Sequence, residues 1–154
     1  MPIKTFRGLI ADGAIDIISL HTNTGSAGYR ITKLELMPKT PGTGSAQESI
    51  VKIYKIPQAL PTDGTVDFSD NTLLAAGIWI GNKNPAAAVP SPFDDVIFDQ
   101  EIFNQDIFVT HIDTDGSESI NYYIELEQIS LALDENTVAT LKDIRNIEGR
   151  NDTA

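Results

Sequence analysis

The sequence predicts a mostly-β fold, an antiparallel β-sandwich of jelly-roll-like form with one short C-terminal α-helix. Three observations lead there. Seven or eight short runs rich in Ile, Val, Phe, Tyr and Thr alternate with turn-forming residues. Two of those runs change their apolar face part-way along, as strands that bend at a sandwich corner do. After Leu133 the apolar period lengthens from two to that of a helix.

The strand-like runs come in order. Ile3–Ile10 and Ala14–Leu20 flank Ala11-Asp12-Gly13, which reads as a hairpin turn. Tyr29–Met37, Ser49–Ile56, Leu73–Ile80, Val96–Phe98, Ile107–Ile112 and Ile120–Leu133 follow. In the last run Ile120, Tyr122, Ile124 and Leu126 share one parity, while Ile129, Leu131 and Leu133 have the other. A bulge or bend is therefore expected near Glu127-Gln128. Tyr29–Met37 shows the same switch between Ile31 and Leu34. Pro38–Gln47, Pro57–Thr65 and Gly81–Asp95 are loops by composition.

Asp134 suits a helix N-cap and Glu135 the first turn. Val138, Leu141 and Ile144 then recur at helical spacing, and Gly149 suits the end. These signals predict a helix at about 135–148. The 154 residues make one domain spanning 1–149, followed by a flexible tail at 150–154.

The chain has no cysteine, so disulfides and thiolate chemistry are excluded. Its N-terminus has no apolar signal segment, and no apolar run approaches the ~18 residues of a membrane helix. Synthesis as a soluble protein in the cell that expresses it, with no membrane partner, is expected. The net charge is −11, split unevenly: residues 1–92 carry seven acids and eight bases, residues 93–154 fifteen acids and three bases. Phosphate contacts need the opposite sign, so no nucleic-acid partner is expected.

Candidate chemistry is sparse. His21 and His111 stand alone, each on or beside a strand. The small-residue loops at Gly25–Gly28 and Gly42–Ser45 match neither a nucleophile elbow nor a phosphate loop. Asp113, Asp115 and Glu118 are oxygen ligands of the kind Ca²⁺ wants, but Gly116 is misplaced for an EF-hand and Asp115-Gly116 suits a hairpin turn. These three are weak metal candidates. Trp79 sits in an apolar run and reads as core, and Tyr122 and Tyr123 point to opposite faces, which counts against a sugar-stacking platform. Glu125 and Glu127 share a strand face, about 7 Å apart by strand rise, a spacing found on any charged strand. No catalytic residue, metal or cofactor is expected.

A five-residue echo, Ile97-Phe98, Ile102-Phe103 and Ile107-Phe108, reads as core-facing aromatics around a bend, or as an apolar edge for a neighbour. Phe98, Phe103 and Phe108, with Leu141 and Ile144 of the helix, are the candidate protein-interface residues.

The phrases NQDIFVT (104–110), NYYIELE (121–127) and ATLKDIRN (139–146) give the chain a resemblance to small virion structural proteins of marine tailed bacteriophages. The resemblance covers residues 104–147. It implies a non-enzymatic virion component, with a capsid decoration (cement) protein on the capsid surface the version preferred. Head-fibre, tail or collar components are the alternatives within that class. A carbohydrate- or calcium-binding β-sandwich is the alternative outside it. The implied partners are the major capsid protein or other virion proteins, and further copies of the chain in a homo-oligomer, preferably a trimer.

Overall fold

The computed structural model describes residues 2–20, 26–40, 46–81 and 93–131. Eight strands run through them: β1 (Ile3–Ile10), β2 (Ile15–Ile18), β3 (Ala27–Pro38), β4 (Gln47–Tyr54), β5 (Leu73–Gly81), β6 (Phe93–Phe98), β7 (Ile107–Asp113) and β8 (Ile120–Ser130). Every pairing is antiparallel. One sheet has three strands in the order β1-β8-β3, the other five in the order β2-β7-β4-β5-β6. The predicted helix at 135–148, with Leu141 and Ile144, lies outside the described residues, as does His21.

One apolar cluster joins the sheets. Ile10, Ile31, Leu34, Ile120, Ile124 and Leu126 come from the three-stranded sheet, and Ile18, Val51, Ile53, Trp79, Ile107 and Val109 from the other. The alternation read from the sequence explains the first set. Along β8 the residues Ile120, Tyr122, Ile124 and Leu126 are buried, while Asn121, Tyr123, Glu125 and Glu127 are half-buried on the opposite face. Each fully buried Ile or Leu contributes about 2 kcal/mol of transfer free energy, so a cluster of this size dominates the fold.

The face switch within β3 is real. The register against β8 shifts between Ile31 and Lys33, which leaves Thr32 as the extra residue of a bulge. The bulge keeps Ile31 and Leu34 both inward despite their odd spacing. The bend expected near Glu127-Gln128 does not form. β8 keeps one register against β3 from Leu126 to Ser130. At the sheet's end Leu131 N–H donates to Ser26 O at 2.9 Å, and the Leu131 side chain lies over Gly28 beside Ile102.

Both expected hairpins prove to be corners. Ala11-Asp12-Gly13 does turn the chain, with Gly13 at φ 75°, the left-handed region that glycine tolerates. Yet β1 pairs with β8 and β2 with β7, so this turn passes from one sheet to the other. Asp115-Gly116 lies between β7 and β8 and makes the reverse passage. Two loop assignments also change. Phe93-Asp94-Asp95 belongs to β6, and Ala27-Gly28 opens β3.

The connection from β4 to β5 folds over the outer face of the five-stranded sheet. Lys52, 8% exposed although it lies mid-strand, donates from Nζ to Thr65 O at 2.7 Å. At the base of this connection Lys55 is 2% exposed and donates to Glu101 Oε1 at 2.7 Å. Removing one partner of a buried ion pair strands the other charge. Glu101→Ala is therefore expected to cost about 3 kcal/mol in urea unfolding, with Lys55→Met/Glu101→Leu recovering most of that loss.

Candidate functional site

The described residues with chemical potential gather where the two inter-sheet corners meet, at the ends of β4 and β7. His111 lies on β7 with its neighbour Val109 in the core, and Ser49 faces Asp113 across the β4–β7 ladder. His111 and Ser49 are both 0% exposed.

Their hydrogen bonds set the imidazole tautomer. His111 Nδ1 lies 3.1 Å from Ala11 O, and a carbonyl only accepts, so Nδ1 carries the proton. Nε2 then accepts from Ser49 Oγ at 2.9 Å. Ser49 Oγ in turn accepts from Gln47 Nε2 at 2.8 Å, and the same amide reaches Ser119 O at 3.3 Å. The result is a directed chain from the β7–β8 corner through β4 to the β1–β2 corner. Burial holds the His111 pKa below its ordinary value, against the opposing pull of the Ala11 carbonyl and the Asp12 and Asp113 charges.

A serine hydroxyl bonded to a histidine is the geometry of an activated nucleophile. Here the imidazole's other nitrogen meets a backbone carbonyl and not a carboxylate, and both side chains are sealed from solvent. The pair holds backbone in place.

Asp113 does the same for the second corner. Its Oδ1 accepts from Glu48 N–H at 3.0 Å and Asp115 N–H at 3.1 Å, and its Oδ2 from Glu118 N–H at 2.9 Å. Its own N–H donates to Asp12 Oδ1 at 2.8 Å, tying one corner to the other. Gly116 is pressed so close that an added Cβ would meet Ala46 O at 2.9 Å and Asp113 Oδ2 at 3.1 Å. The metal candidates Asp113, Asp115 and Glu118 are thus brought together through backbone N–H groups, not carboxylates. Asp115 points to solvent, and no group of three His, Cys, Asp or Glu side chains able to hold a metal ion exists among the described residues. The sequence signal for a turn at Asp115-Gly116 was sound. What it missed was the pairing of Asp113 with Asp12, about a hundred residues apart in the chain.

The remaining candidates scatter. Trp79 is 8% exposed, within the core. Tyr122 points inward, and its hydroxyl donates to Asp16 Oδ2 at 2.9 Å across to β2. Tyr123 faces outward and donates to Glu125 Oε1 at 2.8 Å, so the two tyrosines share no platform. Glu127 is paired with Arg30 at 2.7 Å. The Ile-Phe echo divides. Phe103 is 1% exposed and its backbone pairs with Tyr29, so it is core and not interface. Phe98 and Phe108 are half-buried, and Ile97 and Ile102 stand exposed.

No protein-family model, curated protein or solved structure matches the chain.

Two predictions test the corner. Asp113→Ala leaves three backbone donors without their acceptor and is expected to cost on the order of 3 kcal/mol in denaturant unfolding, since each stranded buried donor costs ~1–3 kcal/mol. For His111 the sign is set by its depressed folded-state pKa. The unfolded chain takes up a proton near pH 6.5 that the folded chain refuses. Stability is therefore full above that pH and falls as pH drops through it, by up to ~1.4 kcal/mol per pH unit. Urea unfolding between neutral pH and about pH 5, above the carboxylate range, is expected to show this slope in the wild type and to lose it in His111→Gln.

Proposed function

We propose that this protein is a non-enzymatic structural component of a tailed-phage virion, a capsid decoration protein that binds the major capsid lattice as a homo-oligomer and stabilises the head. One observation carries the reading. Among the described residues, His111 and Asp113 bind backbone at the two inter-sheet corners, and Ser49 is bonded to His111. That use of the described polar side chains supports a role in packing.

The strand order supports a sandwich of jelly-roll form. β1, β8 and β3 lie in one sheet and β2, β7, β4 and β5 in the other, with β6 beside β5 on the flank where β3 stands. The connections β1–β2, β2–β3, β3–β4 and β7–β8 cross from one sheet to the other. The C-terminal helix at 135–148 completes the proposed domain and supplies Leu141 and Ile144 as contact residues.

The distribution of charge supports a protein partner over nucleic acid. Among the described residues the five-stranded sheet and its loops carry only two bases, Lys52 and Lys55, and both are buried. Their acids lie outward, including Asp63, Asp67, Asp94, Asp95, Asp99 and Asp115. Hydrogen bonds from Thr65 and from Ser69 hold the Asp63 and Asp67 carboxyls below their ordinary pKa, so both stay ionised.

Capsids of the parent phage prepared without this protein are expected to bind the purified chain saturably in co-sedimentation and to resist heat better once loaded. Absence of binding at any concentration overturns the decoration role.

A further inference from the structure

We propose that copies of this chain assemble head to tail through two unlike sheet edges, the β1 edge of one molecule adding to the β6 edge of the next. The proposal rests on the homo-oligomer part of the reading above and not on the capsid part, so its test needs no capsids.

Among the described residues β1 pairs with β8 alone and β6 with β5 alone. No described strand pairs with the other side of either ladder, and an open ladder is a template for another strand. The two edges lie on opposite flanks, since β1 packs beside β2 while β6 packs beside β3. A single molecule is unable to join its own edges. The other two edge strands are less available: β2 has four residues and packs beside β1, and β3 is already bridged at Tyr29 by Phe103. The strand left to fit each edge is the other one, on a second copy.

Charge selects that pairing over its rivals. β1 carries Lys4 and Arg7, both exposed, and no acid. β6 carries Asp94 and Asp95, both exposed, and no base, with exposed Asp99 just beyond its end. Joining β1 to β1 sets bases against bases, and joining β6 to β6 sets acids against acids. Of the three pairings these two edges allow, the unlike one alone is attractive on cross-strand grounds. Lys4 and Arg7 differ in parity, as do Asp94 and Asp95, so each face of the joined sheet receives a base and an acid.

Apolar surface follows the same flanks. Ile3 and Leu9 on β1 are 52% and 47% exposed. Beside β6 an open cleft of about 550 Å³ is walled by Phe68, Ile97 and Phe98 and rimmed by Asp99 and Glu101. Phe68 and Ile97 are 65% and 52% exposed. Adding a strand at β6 covers them. Unlike edges make a heterologous contact, which closes into a ring when the rotation permits.

Sedimentation velocity on the full chain, at low and high salt, tests this with two charge reversals, Lys4→Glu/Arg7→Glu and Asp94→Lys/Asp95→Lys. The wild type is expected to self-associate, more weakly as salt rises. Each reversal alone is expected to weaken association by about tenfold or more. An equimolar mixture of the two reversed chains is expected to associate again, because every contact between unlike chains is then attractive. The altered side chains are exposed, so melting temperatures are expected to hold. Should one variant melt early, Lys4→Gln/Arg7→Gln and Asp94→Asn/Asp95→Asn take its place, each expected to weaken association alone and their mixture to restore only the contact between the unaltered β1 and the unaltered β6. A monomeric wild type overturns the proposal. So does a reversed chain that keeps the wild-type mass, or a mixture that stays monomeric.

Discussion

The bond from Asp113 N–H to Asp12 Oδ1 joins the two places where the chain crosses between sheets. Around it the hydrogen bonds converge. Gly13 N–H donates to His111 O, His111 N–H to Ala14 O, and Thr114 N–H to Glu48 O. A corner exposes backbone donors and acceptors that a hairpin ladder would otherwise satisfy, and leaving them unpaired in a buried place is costly. Asp12, Asp113 and His111 meet that demand with side chains. The relative placement of the two sheets, and hence the shared core, depends on this knot.

Its consequence for function is that polar residues normally suspected of chemistry are committed to structure. A neutral, buried imidazole with a set tautomer also makes the knot sensitive to acid. A proton on His111 Nε2 turns an acceptor into a donor facing Ser49, whose oxygen already accepts from Gln47. The hydroxyl oxygen has a second lone pair to accept that proton, but the Ser49 O–H then loses its acceptor, and the corner gains a charge where burial opposes one.

The distribution of charge shows how folding rearranges a pattern written along the chain. Along the sequence the acids concentrate after residue 92. Among the described residues the division in space is by sheet. Lys4, Arg7, Arg30 and Lys33 lie on β1 and β3, and β8 between them adds Tyr123, Glu125 and Glu127, which Lys33, Tyr123 and Arg30 engage. The acidic excess falls to the five-stranded sheet because that sheet takes β6, β7 and the turns at both ends. β8 carries acids too, but it sits between two basic strands.

Strand number, strand positions and the bulge near Thr32 were legible in the sequence, because side-chain parity on a pleated strand is a local property. So were the core placement of Trp79 and the opposed faces of Tyr122 and Tyr123. The turns at Asp12-Gly13 and Asp115-Gly116 were legible as turns, since glycine and aspartate suit them whatever follows. Only the tertiary structure decided that they are corners and not hairpins. A turn dictates that the chain reverses, while the ladder a strand joins is set by partners far away in sequence: Arg7 against Tyr123, Asp16 against Val109. The same long-range pairing made Asp113 an acceptor for three backbone N–H groups, and sent Phe103 into the core while Ile97 stayed outside.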